Sequence, residues 1–276
     1  MNNQDSLKVG IVQTTSVDDL DANKKNIELL LQKLEGEQLD LVCLPENSIY
    51  MRVKEGDQLR PFQLTDEIFD FFKGWARKLN ALIHLGSVPL KINEHLQNAS
   101  VKIWPDGKVE STYQKIHLFD IALEGQVPIR ESDAFRHGAE PSSFSLKGWK
   151  IGQSICYDLR FAELYSQYAR KSVDLILVPS AFLVTTGKAH WEVLLRARAI
   201  ESQCFIVAAA QAGIHKGILG GERATFGHSL VVDPWGQILR TGSPDKQEVF
   251  VVTLERSAIS KVRRQIPMAS HRRIRT

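Results

Sequence analysis

The sequence predicts an α/β fold in which two mixed sheets pack face to face between outer helices, a four-layer α-β-β-α sandwich. Three observations support this prediction. A strand–helix–strand pattern occurs in each half of the chain, strand-like runs around tight turns follow it, and no linker or shift in composition separates the halves. Apolar sheets of this kind need cover on both faces, which a second sheet and helices supply. We therefore expect one domain spanning residues 7–273.

The first half of the chain opens with a strand, a helix and a strand. Apolar runs predict strands at Lys8–Gln13 and Leu39–Leu44, and helical periodicity predicts a helix around Asn23–Leu34. A second helix is expected at Asp66–Leu79, followed by a strand over Ala81–Val88 that ends at a proline. This order is typical of parallel strands joined by helical crossovers.

A hairpin and a long irregular segment follow. Two strand-like runs, Asn98–Trp104 and Val109–Lys115, flank the turn Pro105–Gly107 and predict an antiparallel hairpin. The segment Ile116–Pro141 shows little periodicity and is longer than most connections inside compact domains. Because loops of that length are usually functional, we expect this segment to shape a site.

The second half repeats the pattern of the first. Apolar runs predict strands at Trp149–Ile155, Leu175–Val178 and Phe205–Ala210, with helices at Phe161–Lys171 and His190–Ser202 between them. Further antiparallel strands are predicted at Gly227–Val232, Gln237–Arg240 and Val249–Leu254, with a turn at Asp233–Gly236. These elements are enough for a second sheet.

Composition excludes several classes of function. The net charge is +3, and the basic residues are spread along the chain except at the C-terminus, which is too little for a nucleic-acid-binding surface. No apolar run approaches the roughly 20 residues of a membrane-spanning helix, and the polar N-terminus does not resemble a secretion signal. Three cysteines favour free thiols in a reducing compartment. We expect a cytoplasmic protein with no membrane or nucleic-acid partner.

Three reactive side chains occur where predicted strands end. Glu46 follows the second strand, Lys115 ends the hairpin strand, and Cys156 ends the strand that begins near Lys150. Active groups of α/β sheets collect at the carboxyl ends of strands. A free thiol has a pKa of about 8.5, so a cysteine nucleophile needs a base or a nearby positive charge. Glu46 would take the thiol proton and later activate water, while Lys115 and the backbone N–H of Tyr157 would stabilise the oxyanion.

The same residue types also occur in purely structural roles. A glutamate at a strand end is usually solvated, a lone lysine usually lies on the surface, and a cysteine in an apolar run is usually buried. We adopt the buried, structural role for Cys43 and Cys204. A histidine could serve as the base of Cys156 instead of Glu46. The candidate histidines are His117, His190 and His228. A metal site is not expected, because the usual zinc-binding spacings are missing.

The three candidate residues lie in segments that resemble the signatures of the nitrilase superfamily of carbon–nitrogen hydrolases. The segments are Leu44–Asn47 (LPEN), Tyr113–Leu118 (YQKIHL) and Ser154–Arg160 (SICYDLR), and the similarity extends from Lys8 to about Arg273. The resemblance implies the nitrilase-type sandwich, with Glu46 as base, Lys115 as catalytic lysine, Cys156 as the nucleophile that forms a thioester, and no cofactor. It also implies that a second glutamate, Glu131 in the long loop, supports the lysine and the bound amide.

Further segments resemble one branch of the superfamily, the deaminated glutathione amidases. They are Ala189–Ala199, Ala208–Gln211, Phe226–Ser229 and Val231–Gly236. The implied reaction cleaves the amide between a 2-oxoglutaryl group and cysteinylglycine. We expect Arg160 to bind the substrate carboxylate through its planar guanidinium, with Tyr157 and Phe182 also in contact with substrate. The alternative for Arg160 is an ion pair with Asp158 or Glu163.

The identity of the small-molecule amide substrate stays open at this point. The chain departs from that branch at Ile121–Pro128, and the glycine-rich stretch Gly213–Gly221 is interpreted as an insertion. An ω-amidase acting on 2-oxoglutaramate is the alternative enzyme, and a non-catalytic binding or scaffold protein is the alternative from another class. On the predicted helix, Trp191, Leu194 and Leu195 lie beside arginines, which leads us to expect a homodimer or larger homo-oligomer unless these residues face the core.

Overall fold

The computed structural model describes residues 5–54, 59–125, 127–218 and 220–274, which form two six-stranded mixed sheets, two two-stranded ribbons and six α-helices. The strands are β1 (Ser6–Gln13), β2 (Leu41–Glu46), β3 (Leu82–Ile92), β4 (His95–Ile103), β5 (Val109–Gln114), β6 (Asp120–Ile121), β7 (Ile129–Arg130), β8 (Ser143–Leu146), β9 (Trp149–Gln153), β10 (Leu175–Leu177), β11 (Phe205–Ala208), β12 (Ala212–Lys216), β13 (Glu222–Phe226), β14 (Leu230–Val232), β15 (Ile238–Thr241) and β16 (Glu248–Glu255). The helices are α1 (Leu20–Gln32), α2 (Glu67–Leu79), α3 (Ala162–Arg170), α4 (Val184–Ser202), α5 (Arg256–Gln265) and α6 (Met268–His271), with 3-10 turns at Glu131–Asp133 and Cys156–Arg160. Within these described ranges, no helix combines the length and the apolar character needed to cross a membrane.

The first sheet joins the N-terminal strands to one strand from near the C-terminus, in the order β16-β1-β2-β3-β4-β5. β1, β2 and β3 run parallel, as the strand–helix–strand pattern predicts, and β4 and β5 continue the sheet antiparallel. The predicted hairpin around Pro105–Gly107 is confirmed, with Ile103 opposite Val109. The second sheet has the order β15-β14-β11-β10-β9-β8, and its parallel centre is formed by β9, β10 and β11.

A buried apolar layer joins the two sheets. Val9 and Leu41 from the first sheet share one core cluster with Ile151, Leu175 and Phe205 from the second, and none of these side chains is more than 2% exposed. The residues next to them along each strand point to the opposite face, as the alternation of a strand requires. Helices cover those outer faces. The predicted α-β-β-α sandwich is therefore confirmed.

Helices α1 and α2 cover the first sheet, and α3 and α4 cover the second. The carboxylate of Asp19 caps α1 by accepting hydrogen bonds from the N–H groups of Asp21 and Ala22, at 2.9 and 3.1 Å. The apolar side of α2 buries Phe69 and Phe72 completely. Because burying one such ring contributes about 1.5–3 kcal/mol, this face is enough to hold the helix on the sheet.

Two element predictions need correction. The third strand does not end before Pro89 but continues to Ile92, with Pro89 opposite Asn98 of β4. Proline has no N–H to donate, but the carbonyl of Pro89 accepts a hydrogen bond from the N–H of Phe62 at 2.7 Å, so this part of the strand keeps a partner. The stretch Gly213–Gly221, interpreted as an insertion, belongs to the β12–β13 ribbon, apart from residue 219, which lies outside the described residues.

The helix predicted from His190 begins earlier, at Val184. Trp191 and Leu195 are 1% and 0% exposed and pack on the second sheet, and Leu194 packs against the same core. The apolar residues that led us to expect association therefore face the core. A homodimer or larger oligomer stays a prediction, and these residues no longer support it.

Candidate active site

Glu46, Lys115 and Cys156 lie together at one end of the two sheets. Glu46 is the last residue of β2, Lys115 follows β5 directly, and Cys156 comes shortly after β9. Their residues are 4, 2 and 7% exposed, yet all three line one cleft. The carboxyl ends of strands from both sheets thus bring together the three residues that the sequence singled out.

A close approach of the two sheets at Gly86 allows residues from both to meet. A Cβ atom on Gly86 would lie 2.1 Å from Cβ of Pro179 and 2.4 Å from the carbonyl oxygen of Leu44, so no side chain fits there. Just beyond Pro179, the N–H of Ala181 donates a hydrogen bond of 2.9 Å to Oε2 of Glu46. A backbone group next to the second sheet therefore holds a carboxylate from the first.

Cys156 begins its 3-10 turn with a left-handed backbone. Its φ is 48°, in a region that residues other than glycine seldom occupy. Two hydrogen bonds fix this conformation. The N–H of Cys156 donates to the carbonyl of Pro179 at 2.8 Å, and the N–H of Ile155 donates to Oδ2 of Asp158 at 2.9 Å. The sharp turn leaves Cys156 in the wall of the cleft.

Asp158 ties the cysteine turn to the segment that carries Lys115. The hydroxyl of Tyr113 donates to Oδ2 of Asp158 at 2.7 Å, and the N–H of His117 donates to Oδ1 at 2.9 Å. Tyr113 and His117 lie on either side of Lys115 in the chain. The fully buried carboxylate of Asp158 therefore fixes the position of Lys115 relative to Cys156. From the sequence, Asp158 was considered only as a partner of Arg160. The sequence did contain a signal that Asp158 contacts Tyr113 and His117, because all three residues lie in the segments that resemble the family signatures.

The Glu46 carboxylate contacts the thiol, the lysine and an amide. Its Oε1 lies 2.9 Å from Nζ of Lys115 and accepts a hydrogen bond of 3.1 Å from Nδ2 of Asn98. The thiol of Cys156 hydrogen-bonds to the same carboxyl group. Burial alone raises the pKa of Glu46, but the charge of Lys115 and these hydrogen bonds outweigh burial and bring the pKa below its usual value. Glu46 is therefore an ionised acceptor next to a thiol.

Lys115 lies between two carboxylates. Its Nζ is 2.8 Å from Oε2 of Glu131, which the predicted long loop supplies. Glu131 also accepts hydrogen bonds from Nδ2 of Asn98 at 2.8 Å and from the N–H of Phe119 at 2.6 Å. Burial lowers the pKa of Lys115, but the charges of Glu131 and Glu46 raise the pKa well above its usual value. The site therefore holds a fixed cation.

The side chain of Cys156 is a protonated thiol, and the acid–base group next to it is a glutamate rather than a histidine. Burial and the charge of Glu46 raise the pKa of Cys156 well above its usual value, although Lys115 opposes them. The candidate histidines His117, His190 and His228 instead contact Asp158, Arg160 and the carbonyl of Phe226, respectively. Among the described residues, none of these histidines lines a cavity that reaches Cys156. The histidine-assisted alternative is not supported by this arrangement.

Cys156 lines two neighbouring cavities, which also share Phe119 and Ala181. The larger contains the cluster around Lys115 and extends to Arg223 of β13. The smaller extends from Cys156 to Thr186 near the start of α4. Its lining includes the three predicted substrate-binding residues, Arg160, Tyr157 and Phe182. A substrate that spans both cavities would place its central bond at the thiol.

Arg160 contacts aromatic rings rather than acids. Its guanidinium carbon lies 5.2 Å from the ring centroid of Phe182 and 5.6 Å from that of Tyr157, within the range of cation–π attraction. No ion pair in the described parts of the chain joins Arg160 to Asp158 or Glu163. The alternative of a local ion pair is therefore wrong, and the guanidinium of Arg160 remains in the wall of the smaller cavity.

Comparison with known proteins agrees with this architecture. Residues 8–264 match the family described as carbon–nitrogen hydrolase. The chain belongs to the carbon–nitrogen hydrolase family. The resemblance drawn from the three signature segments is thereby confirmed, and so is the predicted class of enzyme at the level of the family.

Similar proteins within this family cover nearly the whole chain. A deaminated glutathione amidase of Dictyostelium discoideum is 32% identical over 277 residues, which span 97% of this chain and 94% of that protein. The crystal structure of the Caenorhabditis elegans NitFhit protein superposes with a TM-score of 0.82 at 33% identity, covering 98% of this chain and 66% of that one. Saccharomyces cerevisiae Nit3, a member of branch 10 of the nitrilase superfamily, gives a TM-score of 0.81 at 26% identity, covering 98% and 97%.

Two site residues of this carbon–nitrogen hydrolase were missed by sequence reasoning. Asn98 bridges Glu46 and Glu131, but nothing in the sequence distinguishes it from another polar residue of a strand. Arg223 lines the larger cavity from just beyond the stretch that was interpreted as an insertion. Its arrival at the cleft depends on the pairing of β12 with β13, which was not predicted from the sequence.

Proposed function

We propose that the protein hydrolyses deaminated glutathione to 2-oxoglutarate and cysteinylglycine, with Cys156 as the nucleophile. The name of the Dictyostelium relative supports the substrate. The observation that carries the reaction type is the contact of one carboxylate, Glu46, with both the Cys156 thiol and the Lys115 ammonium. A proton acceptor and a fixed cation beside one sulfur atom are the groups that acyl transfer to a cysteine needs.

In the first half-reaction, the sulfur of Cys156 attacks the amide carbonyl carbon while Glu46 accepts the thiol proton. The carbonyl oxygen becomes an oxyanion, which the Lys115 ammonium and the backbone N–H of Tyr157 stabilise. As the C–N bond breaks, Glu46 gives the proton to the departing amine. This step releases cysteinylglycine and leaves a 2-oxoglutaryl thioester on Cys156.

In the second half-reaction, water hydrolyses the thioester. Glu46 takes a proton from the water as its oxygen attacks the acyl carbon, and Lys115 again receives the oxyanion. When the C–S bond breaks, the proton returns from Glu46 to the sulfur of Cys156, and 2-oxoglutarate leaves. Glu131 acts through the lysine, because its carboxylate holds Nζ of Lys115 at 2.8 Å.

The smaller cavity is our proposed site for the 2-oxoglutaryl group. The free carboxylate of the 2-oxoglutaryl group would bind Arg160, since a planar guanidinium binds a carboxylate with two parallel hydrogen bonds. Nη1 of Arg160 lies 2.9 Å from Nδ1 of His190. Because arginine only donates, Nδ1 of His190 is the acceptor in this contact. A carboxylate binds a guanidinium more strongly than an imidazole nitrogen does and would replace it.

The deciding experiment compares kcat/KM for deaminated glutathione and for 2-oxoglutaramate. Cysteinylglycine is measured for the first substrate and ammonia for the second, with Cys156→Ala as the blank for both. We expect a higher kcat/KM for deaminated glutathione. A higher value for 2-oxoglutaramate would instead identify an ω-amidase. No turnover of either substrate, together with equally slow alkylation of Cys43, Cys156 and Cys204, would favour a non-catalytic binding protein.

A further inference from the structure

Arg223 reaches the larger cavity from the β12–β13 ribbon. It stands opposite His215 in the antiparallel register, so the two side chains share one face of the ribbon. Thr225, two residues along β13, lies on that face as well because side chains alternate along a strand. The neighbours Glu222 and Ala224 are exposed on the opposite face. The pleat therefore turns the arginine inward and the glutamate outward.

Buried hydrogen bonds fix this inward face on the body of the protein. Nδ1 of His215 lies 2.6 Å from the carbonyl oxygen of Ser16, and Nε2 lies 2.8 Å from Oγ1 of Thr225. A carbonyl only accepts, so Nδ1 carries the proton and Nε2 accepts from the threonine hydroxyl. Burial lowers the pKa of His215 to about 4, with Arg223 contributing in the same direction, so the ring is neutral at pH 7. The ribbon thus holds Arg223 over the cleft by contacts that do not use its guanidinium.

The guanidinium of Arg223 lacks a partner in the described parts of the chain. Its Nε is buried without a hydrogen bond, and no ion pair to it occurs among the described residues. The acids in the same cavity, Glu46 and Glu131, both contact Lys115 and have further hydrogen bonds of their own. A buried donor without an acceptor is costly unless a ligand supplies one. The arrangement calls for an anion in the larger cavity.

We infer that Arg223 binds a carboxylate on the leaving-group side of the scissile amide. The inference rests on the proposed function and makes its substrate more specific. With the acyl group on the Arg160 side of Cys156, the leaving group extends into the larger cavity. Cysteinylglycine ends in a carboxylate that Arg223 would bind, whereas the ammonia released from an ω-amide offers nothing to bind. Arg223 therefore selects amides whose leaving group carries a carboxylate.

The test uses two substrates that differ in this carboxylate alone. One is deaminated glutathione, and the other carries glycinamide in place of its terminal glycine. We expect the wild-type kcat/KM to be about 10- to 100-fold higher for the carboxylate, the range of one hydrogen-bonded charge pair. Arg223→Gln should remove most of this preference, and Arg223→Lys should keep part of it because the charge remains. The ratio of the two kcat/KM values does not depend on how much of a variant is folded, so partial misfolding does not obscure it.

Lys216→Gln is the matched control. Lys216 belongs to the same ribbon, but its side chain is 73% exposed and contacts Glu222 on the outer face. Its removal takes away one positive charge without changing the cavity, so the wild-type ratio should persist. A wild-type ratio near one, or an unchanged ratio in Arg223→Gln, overturns the inference and leaves the proposed function intact. If the wild type cleaves neither peptide amide but does cleave 2-oxoglutaramate, the proposed function fails and the inference fails with it.

Discussion

The Lys115 ammonium lies 2.9 Å from Oε1 of Glu46 in a place where only 2% and 5% of the two side chains are exposed. Charges so deeply buried are stable only when their partners and hydrogen bonds are in place. Glu131 completes the cluster at 2.8 Å from the same ammonium. The Lys115 ammonium thus forms ion pairs with two carboxylates, and both half-reactions of the proposed mechanism depend on it.

Lys115→Met should reduce kcat by at least about 10²–10³, because an oxyanion donor acts mainly in the transition state. It should also lower the free energy of unfolding at pH 7 by about 3–5 kcal/mol, since two buried carboxylates lose their cation. Acidic pH should reduce this loss as the carboxylates become protonated. Urea denaturation at both pH values measures the effect. Lys78→Met, which breaks an exposed ion pair with Glu35, is the control and should cost little. A kcat within tenfold of wild type would contradict the role of Lys115.

Asn98→Leu should move the acidic limb of the pH profile of kcat/KM to higher pH. The amide of Asn98 helps to keep the pKa of Glu46 low by donating to its ionised form, so removing the amide raises that pKa. The base must be ionised to act, so activity is present above its pKa and is lost as pH falls through it. Gln97→Leu, at the adjacent position of β4, should leave the limb in place. An unshifted limb in Asn98→Leu would mean that Glu46 is not the titrating base.

Arg160→Lys should raise KM for deaminated glutathione more than it lowers kcat. Lysine keeps the charge but loses the planar fork, which removes binding shared by the ground and transition states. Steady-state kinetics measures the two parameters. His190→Ala is the control, because it removes the partner of Arg160 and leaves the guanidinium. If both parameters stay unchanged in Arg160→Lys, another group holds the substrate carboxylate.

Most of the architecture was predictable from the sequence because the responsible signals are local. Apolar runs, helical periodicity and the Pro105–Gly107 turn each depend on neighbouring residues, and all produce the predicted elements. The prediction that the third strand ends before Pro89 was wrong, because a proline interrupts a strand only where its missing N–H would have to donate to a neighbouring strand. Whether a donor is needed is known only when the neighbouring segment, here Phe62, is in place.

The site was predictable in its reactive residues but not in its supporting contacts. Glu46, Lys115 and Cys156 are recognisable because each lies in a short motif at a strand end. Contacts such as Tyr113 to Asp158 join distant segments, and they exist only because two sheets meet at a fixed distance. Arg223 reaches the cleft through a register between strands that no short motif encodes. Tertiary placement therefore determined what sequence reasoning missed.

Cys156→Ala should abolish turnover without loss of the fold, because the proposed route has no replacement nucleophile. Cys156→Ser should be almost inactive as well, since a carboxylate with a lowered pKa is a weak base for a hydroxyl. Cys204→Ala is the control, because Cys204 is fully buried in the core. Circular dichroism and thermal denaturation check the fold of each variant. Appreciable turnover by folded Cys156→Ala would remove Cys156 from the mechanism.

The most direct test of the central claim is to trap the acyl-enzyme. Wild-type protein is mixed with excess deaminated glutathione and quenched in acid during turnover, and its peptides are analysed by mass spectrometry. We predict a 2-oxoglutaryl group on Cys156, none on Cys43 or Cys204, and loss of the adduct on treatment with hydroxylamine, which cleaves thioesters. Release of cysteinylglycine in a burst equal to the enzyme concentration would accompany it if deacylation is slow. Turnover that continues without any adduct on Cys156, in a protein whose Cys156→Ala variant stays active, would contradict the account.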